Sequence, residues 1–397
     1  MSQAESILFW TYIAAGPLMW GFVGIMMIMG RRRMRRLRRP PAALPENPPS
    51  VTVLIPAKDE AERVRVCIQS VLAQDYPNFS VVTIDDRSTD NTGAILDQMA
   101  LDSGGKVQSL HVPPGALPSG WLGKCHALHF GTRNVSNEWL LFVDSDVRLH
   151  PDALRAAVAL ALSRNYDAVS LMTALECHTF LEKLVLPLAA GAWSVMNTVS
   201  VTNDDNRPDS AYANGQFFLI RRSTYDAAGG HEAVRDQITE DVELARRMKR
   251  EGTRVRLFLG SSFASTRMHA TLGQMLRGWA RIYSGTSRRR PWRILAVASF
   301  LLVCGFSAYP ALAWSFASHN GRPWLIASLA HLLLMTLTLA GIYADSRNPR
   351  RSALLFPVGG GILLIILAFA IRWCITGRIE WRGTVFQQSD RPSPLPR

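Results

Sequence analysis

Two aspartates separated by one serine follow a short, entirely apolar segment. Leu140 to Val143 carries only apolar side chains, and Asp144 and Asp146 come directly after it. Carboxylate oxygens suit Mg²⁺ or Mn²⁺, ions that commonly share their coordination shell with substrate phosphates. Solvated aspartates in a turn give the same pattern. The pair alone therefore leaves a metal–diphosphate site and an ordinary turn both open.

A second acidic pair, Asp85 and Asp86, follows another apolar run. One of these carboxylates can accept hydrogen bonds from a base imide or from a ribose. The residues that come next, Ser88 and Asp90, suit a turn and the cap of the following helix. Both roles can hold together, because capping needs only the later residues.

A third pair, Glu240 and Asp241, opens a helical pattern that continues to Lys249. Thr239 is in the position of an N-cap, and acids in a first turn complement the helix dipole. The alternative is that one carboxylate is a general base, which must then reach the hydroxyl of an acceptor.

Glycines flank a lysine in the segment Gly120 to Lys124, where a helix is expected to start. Backbone amides and an ammonium group at a helix N-terminus can hold phosphate oxygens. The spacing does not match GxxxxGK[ST], so an ATPase of the P-loop type is disfavoured.

Short apolar runs alternate with helical patterns around these residues, which predicts an α/β fold with a mostly parallel sheet and helices on both faces. The predicted strands are Val51 to Ile55, Ser80 to Ile84, Val107 to His111 and Trp139 to Val143. The predicted helices are Ala61 to Ala73, Thr89 to Met99 and Lys124 to Val135. Ligands of such sheets bind beyond the carboxyl ends of the strands, where the first two acidic pairs are expected to lie.

Apolar stretches long enough to cross about 30 Å of hydrocarbon lie on both sides of this region. They are Ile7 to Met29, Ile294 to Ala317, Trp324 to Tyr343 and Ala353 to Ile371. Leu272 to Tyr283 mixes charged and apolar residues, as an interfacial helix does. The expected layout is an anchor at 1–30, a basic, proline-rich linker at 31–50, a cytoplasmic domain at 51–270, an interfacial helix at 271–293, about three spans at 294–372 and a tail at 373–397.

The 397-residue chain is 48% hydrophobic, 19% charged and carries a net charge of +13. This apolar content excludes disorder as a property of the whole chain. The positive charge lies in arginine runs beside the apolar stretches, which makes it a signal of membrane topology and disfavours nucleic-acid binding. The four apolar stretches predict a multi-pass protein of the cell membrane. The arginine run that follows the first of them predicts that the main domain lies in the cytoplasm. Four spans would place the tail outside although it carries Arg378 and Arg382, so the last span is either re-entrant or an exception to the charge rule.

In their order along the chain, these motifs resemble the family-2 inverting glycosyltransferases with the GT-A fold. The resemblance covers Val51 to Ser284 and rests on PAKDE after the first strand, then DDRSTD, WLGK, DSD and TED. The segments YANGQF and AGGH narrow it to the membrane-anchored branch that contains ceramide glucosyltransferase, diaponeurosporenoate glycosyltransferase and hopanoid-associated glycosyltransferases.

The resemblance implies a Rossmann-like GT-A domain and a role for each matching residue. Pro56, Glu60, Asp85, Asp86, Lys124 and Asp144 would bind the nucleotide sugar. Asp146, with Asp144, would hold Mn²⁺ or Mg²⁺. Asp241, beside Glu240, would be the catalytic base, and Gly215, Gln216, Arg277 and Trp279 would meet acceptor or phosphate.

One motif departs from the family pattern. The family's QxxRW appears here as Gln274 to Trp279 with Gly278 inserted before the tryptophan. On a helix one extra residue rotates Trp279 by about 100°. This puts stacking of Trp279 on an acceptor in doubt and leaves an interfacial anchor as the alternative.

The expected function is transfer of one sugar, with inversion, from a nucleotide-diphosphate sugar to a membrane lipid such as a sphingolipid, carotenoid or hopanoid. The expected partners are that donor, the lipid acceptor and the bilayer, with no nucleic acid and no obligatory protein partner. Two alternatives stay open: a processive polysaccharide synthase of the same family, and a non-catalytic membrane scaffold with a retained nucleotide-binding fold.

Overall fold

The computed structural model describes residues 2–37, 44–115, 117–196, 199–287, 290–319, 321–381 and 384–387. The chain forms two compact units. The sheet unit comprises Arg36–Glu176 and Asn197–Met268, and the helical unit comprises Met1–Arg35, Cys177–Met196 and His269–Arg397.

Strands and helices alternate along the sheet unit. The strands are β1 (Val51–Ala57), β2 (Phe79–Asp85), β3 (Val107–His111), β4 (Trp139–Phe142), β5 (Val147–Leu149), β6 (Ala168–Met172), β7 (Ala174–Leu175), β8 (Phe218–Arg221), β9 (Val255–Leu259) and β10 (Ala264–Thr266). The helices that follow α1 (Gln3–Ile13) and α2 (Met19–Leu37) are α3 (Val64–Leu72), α4 (Thr92–Asp102), α5 (Gly123–Thr132) and α6 (Ala153–Arg164). After α7 (Phe180–Met196) come α8 (Val199–Thr202), α9 (Arg222–Ala227) and α10 (Glu240–Arg250).

The main sheet has seven strands in the order β3-β2-β1-β4-β8-β6-β9. β8 pairs antiparallel with both β4 and β6, and the other pairings are parallel. Six strands therefore run in one direction, which confirms the predicted mostly parallel sheet. β8 begins at the edge where its neighbour β4 ends, so the residues just before Phe218 lie beside the residues just after Phe142.

The alternation of side chains in β1 explains why helices cover both faces of the sheet. Val53 and Ile55 pack on one face, in a core with residues of α3, α4 and α6. Leu54 points to the other face, in a core with residues of α5 and α10. Both cores are closed, because strands of a parallel sheet expose neither face to water. The prediction of helices on both faces is confirmed.

The observed helix boundaries differ from the predicted ones at both ends of the helices. α4 begins at Thr92 rather than Thr89, and just before it Asp90 Oδ1 accepts a hydrogen bond from the Thr92 amide at 2.9 Å. Thr239 precedes α10 but makes no capping hydrogen bond with its side chain. Thr239 thus occupies the predicted N-cap position, but without a capping hydrogen bond from its side chain.

The helical unit contains α1, α2, α7, α11 (Leu272–Thr286), α12 (Pro291–Phe300), α13 (Ala308–Ala317), α14 (Gly321–Asp345) and α15 (Phe356–Thr376), followed by strands β11 (Arg378–Trp381) and β12 (Thr384–Gln387). Among the described residues, four helical stretches are long and apolar enough to cross a membrane by length and composition. They are Gln3–Gly30, Pro291–Ala317, Gly321–Asp345 and Arg350–Thr376. These stretches contain the four predicted apolar spans.

Polar contacts hold α7 in the helical unit. The Tyr343 hydroxyl donates to the Leu184 carbonyl at 2.6 Å, and the Tyr283 hydroxyl donates to the Ala189 carbonyl at 2.8 Å. The sequence left open whether the segment from Ala189 packs within the main domain. The structure places α7 among the helices that are apolar enough for a membrane.

Candidate active site

Six of the residues singled out in the sequence line one cavity of the sheet unit. They are Pro56, Lys124, Asp144, Gly215, Glu240 and Asp241. Four elements bring them there: the end of β1, the start of α5, the loop after β4 and the start of α10. Gly215 joins them because β8 is antiparallel and starts from this edge of the sheet. The cavity therefore lies at the carboxyl ends of β1 and β4, where α/β sheets bind ligands.

Lys124 is the positive centre of the cavity. Its Nζ lies 2.6 Å from Asp144 Oδ1 and 2.7 Å from Glu240 Oε1. Desolvation acts to lower the pKa of Lys124, but the carboxylates of Asp144, Glu240 and Asp241 outweigh it and raise that pKa well above its usual value. The side chain is therefore a permanent cation, although 37% of its surface is exposed.

Asp241 is held by backbone amides beside this lysine. Its Oδ2 accepts a hydrogen bond from the Gly215 amide at 2.6 Å, and its Oδ1 accepts one from the Val242 amide at 2.8 Å. A side chain at position 215 would collide with this arrangement, because a Cβ there would lie 3.1 Å from Lys124 Nζ and 3.2 Å from Asp241 Oδ2. Burial and the charge of Glu240 raise the pKa of Asp241, which gives its carboxylate the proton affinity that a general base needs.

Asp146 lies in a second concentration of negative charge, with Glu60 and Asp144. Burial, followed by the charges of Asp144 and Glu60, raises the pKa of Asp146. Glu60 is 9% exposed, and its amide donates to the Thr92 hydroxyl at 2.8 Å. Carboxylates concentrated in this way are stabilised by a bound cation. Among the described residues, no group of three or more His, Cys, Asp or Glu side chains is arranged so that it could hold a metal ion by itself.

Asp85 and Asp86 point in opposite directions, as consecutive residues at a strand end do. Asp85 Oδ1 accepts a hydrogen bond from the Ser88 amide at 3.1 Å, and its Oδ2 lies 3.3 Å from His111 Nδ1. Asp86 pairs with Arg87 and faces the start of α5, where a Cβ on Gly123 would lie 2.5 Å from Asp86 Oδ2. Asp85 thus supports the loop, and Asp86 is the member of the pair directed toward the lysine-bearing helix.

Gln216 is buried beneath the segment that carries Gly215. Its backbone amide donates a hydrogen bond to Asn214 Oδ1 at 3.3 Å. Its side-chain oxygen accepts hydrogen bonds from Asn214 Nδ2 at 3.2 Å and from the Thr173 hydroxyl. These contacts fix the turn that presents the Gly215 amide to Asp241.

Arg277 and Trp279 lie on α11, in the helical unit. Trp279 is only 5% exposed, and its ring centroid lies 6.0 Å from that of Tyr283. The inserted glycine has a clear packing reason, because a Cβ on Gly278 would lie 2.2 Å from ring atoms of His269. Both residues therefore belong to a helix of the helical unit.

His231 is a cavity residue to which the sequence assigned no role. It is 3% exposed and lines the same cavity as Lys124 and Asp241. The two glycines before it, Gly229 and Gly230, both have positive φ, at 78° and 54°. Consecutive glycines with a histidine are the signal in the sequence that could have directed attention to this position.

The ammonium of Lys124 and the carboxylates of Asp144, Glu240 and Asp241 around one cavity can bind a diphosphate and remove a proton beside it. A model described as glycosyltransferase-like family 2 matches residues 48–285. The chain is 26% identical to the 4,4'-diaponeurosporenoate glycosyltransferase of Staphylococcus haemolyticus over 68% of this chain and 70% of that relative. It is also 26% identical to the enzyme of that name from Staphylococcus aureus, over 86% of this chain and 90% of the relative.

A solved structure has a similar fold over most of the chain. It is a mannosyltransferase from Pyrobaculum calidifontis in complex with GDP-Man and Mn²⁺, with a TM-score of 0.52 and 18% identity. The match covers 92% of this chain and 99% of the mannosyltransferase. This likeness confirms the GT-A fold.

Proposed function

This chain belongs to glycosyltransferase family 2 and is a glycosyltransferase, and from that membership we propose that it transfers a single sugar from a nucleotide-diphosphate sugar to a membrane lipid, with inversion. The observation that carries the proposal is the position of Asp241, whose carboxylate lines the same cavity as Lys124 and Asp144. The relatives named for a carotenoid acid and the four apolar helices support a lipid acceptor.

In the proposed mechanism, Lys124 exchanges its carboxylate partners for the donor diphosphate. The acceptor hydroxyl attacks the anomeric carbon, the bond from that carbon to the phosphate oxygen breaks, and Asp241 takes the proton of the hydroxyl. One displacement inverts the anomeric carbon and needs no covalent intermediate on the enzyme. The Gly215 and Val242 amides hold the Asp241 carboxylate in place for this step.

The donor set fits a divalent cation, because Asp144 and Glu60 add negative charge around Asp146, whose pKa is raised by burial and then by these two charges. Asp144 and Asp146 would hold Mn²⁺ or Mg²⁺, and the bound ion would neutralise charge on the leaving diphosphate. Glu60, Pro56 and Asp86 would line the nucleotide pocket, and Gln216 would support the turn beside the acceptor. Arg277 and Trp279 would contact acceptor or phosphate.

We further propose that residues 51–270 form a cytoplasmic catalytic domain and that residues 1–30 and 294–372 cross the cell membrane. Residues 271–293 would lie at the surface of the membrane. Residues 31–50 would be a linker, and residues 373–397 a tail. The arginine runs next to the apolar stretches support this orientation. It would give one enzyme access to a soluble donor and to an acceptor dissolved in the bilayer.

The product distinguishes this function from polymer synthesis. Purified protein incubated with radiolabelled nucleotide sugars and a lipid extract is expected to place the label in the organic phase, with one sugar per lipid by mass spectrometry. A long water-soluble polymer would instead identify a processive polysaccharide synthase. Nucleotide-sugar binding without any transferred label would favour a non-catalytic scaffold.

A further inference from the structure

His231 is held in the cavity wall by two contacts with the Tyr225 hydroxyl, which orient its ring. Its Nδ1 lies 2.9 Å from the Tyr225 hydroxyl, and its own backbone amide donates to the same hydroxyl at 3.0 Å. The Thr132 hydroxyl lies 3.3 Å from that of Tyr225. Tyr225 is itself buried, so its hydroxyl meets these partners within the core.

The backbone before His231 is shaped for this contact. A Cβ on Gly230 would lie 2.7 Å from the Tyr225 ring, and the positive φ of Gly230 disfavours other residues. Two left-handed glycines and a buried tyrosine thus fix one edge of a single imidazole. An apolar side chain could fill the same volume without the cost of burying a polar ring.

The opposite edge of the ring has a different environment. Among the described residues, His231 Nε2 makes no hydrogen bond, yet it is not sealed from solvent as orphaned buried atoms are. The ring also packs edge-on against Phe142 at 4.9 Å, and both side chains line the cavity. A histidine that served only packing would satisfy both nitrogens or bury both. Here Nδ1 is engaged by Tyr225, no described residue bonds Nε2, and the side chain lines the cavity.

The position of the ring indicates which part of a donor it would meet. Under the proposed function, the diphosphate lies at Lys124 and Asp144, the base is Asp241, and the sugar occupies the space between them. His231 lines that space together with these three residues. Burial, followed by the charge of Lys124, lowers the pKa of His231 to about 3, so the ring is neutral at physiological pH.

We propose that His231 Nε2 forms a hydrogen bond with one hydroxyl of the donor sugar and thereby helps determine which sugar is accepted. This inference rests on the proposed function and adds to it a specificity-determining residue. A neutral imidazole suits the task, because a hydrogen bond to an uncharged hydroxyl discriminates between sugars that differ at that position.

The test compares binding of a nucleotide sugar with binding of the nucleotide alone. Calorimetry with Mn²⁺ would measure UDP, UDP-glucose, UDP-galactose, UDP-GlcNAc, GDP and GDP-Man on the wild-type protein and on His231→Gln and His231→Asn. A glutamine amide can reach the position of Nε2, whereas an asparagine amide reaches that of Nδ1. His150→Gln is the matched control, because His150 is exposed and lies outside the cavity.

We expect Kd for the nucleotide alone to stay within twofold in every variant. His231→Asn should lose about tenfold in affinity for the preferred nucleotide sugar, as expected for one hydrogen bond, while His231→Gln retains most of it. Equal ratios of nucleotide-sugar to nucleotide affinity in all variants would overturn the inference. If the wild-type protein bound none of these donors, the proposed function itself would fail.

A measurement on the wild-type protein avoids dependence on variants that fold poorly. Analogues of the preferred donor, each lacking one sugar hydroxyl, would be compared in the same assay. One analogue is expected to bind about tenfold more weakly than the parent, and His231→Asn should remove that difference for this analogue alone, whereas His231→Gln should keep most of it. If no single hydroxyl contributed to affinity, the inference would be wrong.

Discussion

Replacement of Asp241 by Asn is expected to lower the rate of sugar transfer by roughly two to four orders of magnitude, the usual contribution of a general base. An asparagine carbonyl can still accept the hydrogen bond from the Gly215 amide, which is 2.6 Å from Asp241 Oδ2 in the native protein. The local backbone should therefore persist, and Kd for the nucleotide sugar should stay within a few-fold. Initial rates with labelled donor and calorimetric binding measure the two quantities separately.

Glu243→Gln is the matched control for this variant. Glu243 belongs to the same first turn of α10, but its side chain pairs with Arg246 at 3.3 Å and does not line the cavity. The control should keep near-normal transfer. Survival of transfer in Asp241→Asn would show that Asp241 is not the base, and would favour an acceptor that arrives already ionised, such as a carboxylic acid.

Removal of divalent cations is expected to abolish transfer, and Mn²⁺ or Mg²⁺ should restore it. The reason is electrostatic: without a cation, the diphosphate would meet the carboxylates of Asp144, Asp146 and Glu60. Burial, followed by the charges of Asp144 and Glu60, already raises the pKa of Asp146. Transfer would be measured after treatment with EDTA and after titration of each metal. Turnover that is unaffected by metal removal would refute a role for the ion.

A variant at one proposed ligand makes this experiment specific to the site. Asp146→Asn should raise the Mn²⁺ concentration needed for half-maximal transfer by roughly tenfold or more. Asp152→Asn should leave it unchanged, because Asp152 is exposed in the turn before α6. Equal metal dependence in the two variants would mean that the ion binds elsewhere.

The parallel part of the fold was predictable because its signals are local. The apolar runs of β2 and β4 stand directly beside the acids at their ends, so strand positions and strand-end residues could be inferred together. The convergence of Asp144 and Lys124 follows from parallel strands meeting their helices at one edge of the sheet.

Other features depend on pairings that the sequence does not display. The antiparallel direction of β8 brings Gly215 to the cavity, and no local pattern specifies that direction. Asp85 and Asp86 make different contacts because His111 and Gly123, which lie on other elements, are beside them. α7 resembles a helix of the main domain by position in the chain, but its partners Tyr283 and Tyr343 come from much later in the sequence.

The most direct test is a cryo-EM structure of the full chain in a lipid nanodisc with a nucleotide sugar and Mn²⁺. Density for the diphosphate is expected beside Lys124 and Asp144, with the sugar next to His231 and the Asp241 carboxylate on the face of the anomeric carbon opposite the leaving group. A donor bound in another cavity, or with Asp241 on the same face as the diphosphate, would contradict the proposed mechanism.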